Sequence, residues 1–255
     1  MNKLIVANLK MNLLSALERE SYLKSFKKAL ARKNLLQTEI ILCPPVVQLE
    51  GFQKAVLKEI KLGAQNTFWE DRGSYTGEIS NLMLKNFGCE YVILGHSERR
   101  RFAHEQNSDV NLKIIAALKN GLKPILCVGE DGKQKREGAG VVTEQLENCL
   151  KDINKEKIKD VVICYEPVWA ISSNNPDHLP TANEIMSAKL LVRKFIVGKY
   201  GVKTFEKMRI IYGGSVSAEN FEEVCLRPGM DGVLVGKESL IPSDFMKIVD
   251  IIERN

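Results

Sequence analysis

Eight short apolar runs recur along the chain, and stretches with helical spacing lie between them. No other feature restricts the fold as tightly. The runs are Leu4–Ala7, Ile40–Cys43, Ile60–Ala64, Tyr91–Leu94, Pro124–Val128, Val161–Cys164, Arg209–Tyr212 and Gly232–Val235. Between them, Tyr22, Phe26, Ala29 and Leu30 fall on one helical face, as do Val110, Ile114, Ala117 and Leu118. Ile185, Leu190 and Phe195 repeat more loosely, and Ile248, Val249, Ile251 and Ile252 belong to a last helix. Strands joined through helices pair in parallel. Apolarity that is continuous rather than alternating along the runs says that both strand faces are covered. Eight such units in 255 residues predict an α/β fold, a (β/α)8 barrel of eight parallel strands with outer helices, spanning 1–255 as a single domain. A doubly wound open sheet is the runner-up, but its GxGxxG fingerprint is absent.

Charge and cysteines narrow the function. The net charge is +5, from 37 basic and 32 acidic residues, and the charges alternate along predicted helical stretches such as Lys54–Glu59 and Lys151–Lys159. That pattern is a solvated surface, so no nucleic-acid partner is expected; the mild positive field favours an anionic substrate. No apolar run approaches the roughly 20 residues that span a bilayer, so no membrane partner is expected. The apolar segment after Met1-Asn2-Lys3 is too short for a signal peptide and reads as a first strand, which makes the expected location cytoplasmic. Cys43, Cys89, Cys127, Cys149, Cys164 and Cys225 form no CxxC pair and read as buried free thiols.

In a barrel of this kind the active site lies at the carboxyl ends of the strands. The polar residues there are Asn8 and Lys10; Gln65 and Asn66; His96, Ser97 and Glu98; Gly129 and Glu130; Glu166; Gly213, Gly214 and Ser215; and Gly236 and Lys237. Pro167 stops the sixth strand directly after Glu166, with Val168 and Trp169 behind it. A carboxylate beside apolar side chains loses water and becomes a stronger base. The same stretch also fits a surface glutamate at a strand end.

His96 precedes what looks like a helix start, Ser97-Glu98-Arg99-Arg100. There the helix dipole disfavours imidazolium and leaves a neutral ring to donate a hydrogen bond. Arg99, Arg100 and Arg101 are expected to pair with Glu98, Glu105 or other surface acids. Lys10 is placed to stabilise a developing oxyanion, although most lysines simply face solvent. Gly213-Gly214-Ser215 and Gly236-Lys237 follow strands seven and eight, where barrels often build a phosphate site. Either glycine pair alone also fits an ordinary turn. Together the groups suit proton abstraction beside a carbonyl: Glu166 removes a carbon-bound proton while Lys10 and His96 stabilise the enediolate oxygen. Neither a metal cluster nor a nucleotide motif is visible, so no metal or other cofactor is expected.

At this point the chain resembles the triosephosphate isomerase family along essentially its whole length. The likeness rests on Asn8-Leu9-Lys10-Met11-Asn12, Gly63-Ala64-Gln65-Asn66, Tyr75-Thr76-Gly77-Glu78-Ile79-Ser80 and Ile93-Leu94-Gly95-His96-Ser97-Glu98-Arg99-Arg100. It continues through Cys127-Val128-Gly129-Glu130, Tyr165-Glu166-Pro167-Val168-Trp169-Ala170-Ile171, Tyr212-Gly213-Gly214-Ser215-Val216 and Asp231-Gly232-Val233-Leu234-Val235-Gly236.

The resemblance implies interconversion of glyceraldehyde 3-phosphate and dihydroxyacetone phosphate, in glycolysis and gluconeogenesis. It implies Glu166 as base, His96 as electrophile, Asn8 and Lys10 as substrate contacts, and Glu98 as an auxiliary acid near Lys10. Backbone N–H groups of Ser172, Ser215, Gly236 and Lys237 would hold the phosphate. It also implies a homodimer in which Thr76 reaches the partner's site.

Three departures stand out: Leu9 for an aromatic, Lys237 for a glycine, and Ser172-Ser173-Asn174-Asn175-Pro176 where the family commonly has a Gly-Thr-Gly-Lys lid. The last predicts a stiffer lid with altered kinetics. Two other readings remain: another phosphosugar-binding barrel enzyme, and a non-catalytic barrel. A Schiff-base aldolase would need a strand lysine, and the eight runs hold one, Lys61, at the amino end of the third.

Overall fold

The apolar runs pair in sequence order and then close on themselves. The computed structural model describes residues 1–31, 33–55, 59–134, 137–174 and 176–254. Part of the Lys54–Glu59 stretch and the lid residue Asn175 therefore lie outside the described residues. The strands are β1 (Lys3–Asn8), β2 (Thr38–Cys43), β3 (Ile60–Ala64), β4 (Cys89–Leu94), β5 (Lys123–Val128), β6 (Val162–Tyr165), β7 (Arg209–Tyr212) and β8 (Gly232–Val235). They form a closed barrel in the order β1 to β8, and β8 pairs in parallel with β1.

The continuous apolarity has a simple cause. Alternate residues of one strand serve two cores. Leu4, Val6, Ile93, Cys127, Cys164 and Ile211 point into the barrel, while Ile5, Ala7, Val92, Leu126 and Ile163 meet the helices outside. All six cysteines are buried and free.

Two strands begin two residues earlier than their apolar runs. β2 starts at Thr38 and β4 at Cys89, because Glu39 and Glu90 join the amino end of the sheet and share an ion-pair group there. Arg209 donates to Glu39 at 2.6 Å, Tyr91 donates to it at 2.7 Å, and Lys61 reaches it at 2.9 Å. β6 extends one residue further than its apolar run, since Tyr165 pairs with Val128 and Tyr212.

The helical patterns form helices over Ala16–Leu30, Asn107–Lys119, Ala182–Tyr200 and Pro242–Arg254. In the third, the buried face is Ile185, Val192, Ile196 and Tyr200, whereas Leu190 is half exposed. The loose periodicity had placed Leu190 inside; the true face keeps a closer 3.6-residue spacing. Among the described residues, no helix is long and apolar enough to cross a membrane.

Candidate active site

β4 ends at Leu94, and the chain must turn sharply to aim the next residue over the barrel mouth. Gly95 does this with φ +68, and a Cβ there would meet the Arg100 guanidinium at 2.8 Å. His96 then caps the helix Ser97–Phe102: its Nδ1 accepts the Glu98 backbone N–H at 3.2 Å. That bond fixes the tautomer, leaving the ring proton of neutral His96 on Nε2.

Nε2 lies 3.0 Å from Glu166 Oε1. Glu166 comes from the end of β6 and is 2% exposed. Its backbone approaches β5 so closely that a Cβ on Gly129 would sit 2.0 Å from the Glu166 carbonyl oxygen. Ser97 completes the nest, donating its backbone N–H to Oε2 and its hydroxyl to Oε1, both at 3.1 Å. Glu166 thus stands at rest in a three-donor cradle, with both partners at the start of the helix that follows β4.

This cradle corrects two sequence expectations. Burial pushes the Glu166 carboxyl upward, but His96 and Ser97 outweigh it and hold its pKa below the usual carboxylate range. Burial likewise disfavours imidazolium at His96, yet the adjacent Glu166 carboxylate reverses this and raises the ring's pKa. The helix-dipole argument missed this because it took no account of a carboxylate arriving from another strand.

Lys10 stands across the mouth. Its backbone adopts φ +49, a left-handed conformation that costs a lysine on the order of 1 kcal/mol or more. Two side chains hold it there: Asn8 accepts the Lys10 N–H at 3.1 Å, and Gln65 donates to the Lys10 carbonyl at 2.9 Å. The ammonium meets Glu98 at 2.6 Å. The neighbouring arginines go elsewhere. Arg99 bonds Glu105, Arg100 donates to the Gly95 carbonyl and Asn107, and Arg101 reaches Asn174.

Asn8, Lys10, His96 and Glu166 line a cavity of about 230 Å³ that runs to Ser172, Gly214, Gly236 and Lys237. That is smaller than the roughly 300 Å³ at which drug-sized pockets begin, and suits a ligand of a few heavy atoms. Ser215 is near but engaged: its N–H donates to the Ala170 carbonyl at 3.0 Å, and its hydroxyl lies 2.8 Å from that of Ser172. A second cavity, about 390 Å³, lies on the other side of Lys10 and His96 and is lined by Met11, Gln65, Gly77 and Glu98. Thr76 itself is exposed.

Two functional side chains carried no assigned role from sequence. Ser97 holds the carboxylate; its place directly after His96 was the available signal. Glu130 anchors the segment after Glu166 by accepting from the Trp169 indole at 2.8 Å and the Tyr165 hydroxyl at 3.1 Å.

A buried carboxylate, an imidazole with a fixed tautomer and an ammonium, gathered at the carboxyl end of a closed parallel barrel, define a (β/α)8 enzyme of the acid–base class. Within that class the resemblance is particular. The family model described as "Triosephosphate isomerase" matches residues 3–252. The chain is 44% identical over 250 residues to the triosephosphate isomerase of Dictyoglomus turgidum, covering 97% of this chain and 98% of that one. Against that of Dictyoglomus thermophilum it is 44% identical over 251 residues, covering 97% and 98%. Against that of Thermoanaerobacter sp. it is 45% identical over 217 residues, covering 84% and 86%. The chain belongs to the triosephosphate isomerase family.

Proposed function

We propose that this chain interconverts D-glyceraldehyde 3-phosphate and dihydroxyacetone phosphate by proton abstraction through an enediolate, as a step of glycolysis and gluconeogenesis in the cytoplasm. The observation that carries this reading is Glu166 held at 3.0 Å from His96 beside a small cavity that Lys10 also lines.

In this reading the steps use the groups that line the cavity. Triose phosphate enters with its carbonyl toward His96 and Lys10. Glu166 leaves the Ser97 donors and turns to the substrate carbon, where it takes a proton. Leaving those hydrogen bonds makes the freed carboxylate more basic than the resting one. The Nε2–H of His96 and the Lys10 ammonium then face the oxygen on which negative charge develops. Glu166 returns the proton to the neighbouring carbon. Glu98 keeps the Lys10 ammonium in place, and Asn8 keeps its backbone in place. The phosphate lies toward Ser172, Gly236 and Lys237. The Ser215 N–H joins them when the lid moves and releases the Ala170 carbonyl.

The lid is the segment that follows Glu166 and carries Ser172, Ser173 and Asn174, and lids of this kind keep water from a reactive intermediate; that of triosephosphate isomerase is a standard example. Here one bond braces it from within and one holds it to the barrel: Asn174 donates to the Val168 carbonyl at 2.7 Å, and Arg101, outside the lid, donates to Asn174 at 3.4 Å. These bonds support a lid that closes with altered kinetics.

The assembly is a homodimer in this reading. Met11, Val47 and Phe102 are strongly exposed apolar residues. Burying them against a second copy, with the partner's Thr76 loop in the 390 Å³ cavity, removes an unfavourable surface.

A coupled assay with dihydroxyacetone phosphate tests the reaction. The wild type should turn over, and His96→Gln should lose about 100-fold, the scale of one lost oxyanion donor. A wild type that leaves the substrate unchanged would favour a non-catalytic barrel. Equal rates in both proteins would remove His96 from the mechanism.

A further inference from the structure

The phosphate end of the cavity is short of committed donors. The Ser215 amide is occupied by the Ala170 carbonyl. Lys10 lines the same cavity, but its ammonium is neutralised by Glu98 at 2.6 Å. Lys237 differs from both. It opens the short turn Lys237–Leu240 that follows β8, it lines the cavity, and it is exposed. Among the described residues, no hydrogen bond or ion pair occupies its ammonium. The turn sits close over the site, since a Cβ on Gly236 would lie 3.5 Å from Cε of Lys10.

We propose that the Lys237 side chain, and not only its backbone N–H, is a ligand of the substrate's phosphate. A dianion in this cavity then meets one full positive charge that no internal acid cancels, in addition to amide dipoles. The family's usual glycine at this position offers only the amide, so this chain's anion affinity gains a salt-sensitive part. The inference rests on taking the β7–β8 end of the cavity as the phosphate end.

The test is titration of inorganic phosphate into wild type, Lys237→Met and Lys237→Arg, followed by calorimetry or phosphorus NMR at low and high salt. Methionine keeps the unbranched chain up to Cε and the backbone, and removes the charge. At low salt, Lys237→Met should bind phosphate about fivefold more weakly, the scale of one exposed charge pair. The gap should close as salt screens the pair. Lys237→Arg should bind close to wild type, and KM for triose phosphate should follow phosphate affinity across the series more closely than kcat does. Equal phosphate affinity in wild type and Lys237→Met at low salt overturns the proposal, as does a gap that salt leaves unchanged.

The readout needs no turnover. An inactive protein whose phosphate affinity depends on Lys237 would lose the isomerase reading and keep this one. An active isomerase indifferent to Lys237→Met would do the reverse.

Discussion

At the amino end of the barrel, Glu39 sits among Arg209, Lys61 and Tyr91; at the carboxyl end, Glu166 sits between His96 and Ser97. Both carboxylates are pulled upward by burial and held downward by their partners. The partners differ in kind. Glu39 faces two permanent cations and a phenol, and its pKa is held down at about 2. That charge is locked. Glu166 faces an amide, a hydroxyl and a ring that can each accept a substitute partner. The first arrangement ties β2, β3, β4 and β7 together at the amino end; the second holds a carboxylate by partners that the proposed reaction replaces. A buried charge becomes chemistry only when its neighbours can do without it.

The largest expected effect tests the releasable end. Glu166→Asp withdraws the carboxylate by one methylene and should lower kcat by about 100-fold or more, since reacting groups tolerate little more than 1 Å of error. Chemical denaturation should show little change in stability. A large stability loss with modest loss of turnover would reverse the contrast between the ends.

Next comes the locked end. Glu39→Gln should lower unfolding free energy at neutral pH by about 2 kcal/mol, the scale of hydrogen bonds to charged groups, without a matching fall in kcat/KM. A group whose folded pKa is depressed stabilises above its unfolded value and loses that contribution as pH falls. The deficit of the variant should therefore shrink between about pH 4.3, the unfolded value, and the folded value of about 2. A deficit independent of pH would show that Glu39 acts by packing.

A smaller effect belongs to the lid. In the proposed mechanism, Asn174→Gly removes the bonds to Val168 and Arg101 that hold the resting lid, and should raise its closing rate about fivefold, as expected for loss of about 1 kcal/mol of hydrogen bonding. Trp169 fluorescence after a temperature jump reads it. An unchanged rate would show that the tether does not limit the motion.

The smallest is a titration. Carbon NMR of ligand-free protein should place the Glu166 carboxyl midpoint below about 4.3, and Ser97→Ala should move it upward by removing one donor. A midpoint above that value would mean that dehydration dominates at this end after all.

Much of this was legible in the sequence because it depends on period and order. The apolar runs gave the barrel because each strand feeds two cores. Strand ends gave His96, Lys10 and Glu166 because a parallel barrel collects them at one mouth. The protonation states were not legible, since they depend on which side chains from distant strands meet: Ser97 and Glu166 are 69 positions apart. The amino-end cluster was hidden for the same reason, and it also shifted the starts of β2 and β4. Leu190 was misplaced because a loose period leaves more than one face open. The left-handed backbone of Lys10 has no sequence signal, because any residue but glycine would be strained there.

The two cavities at the mouth share a partition. Asn8, Lys10 and His96 line both. Anything that fills the outer chamber presses on the very side chains that meet reactant in the inner one. Three side chains thus belong to both chambers at once, and whatever fixes their positions from one side limits where they can stand on the other.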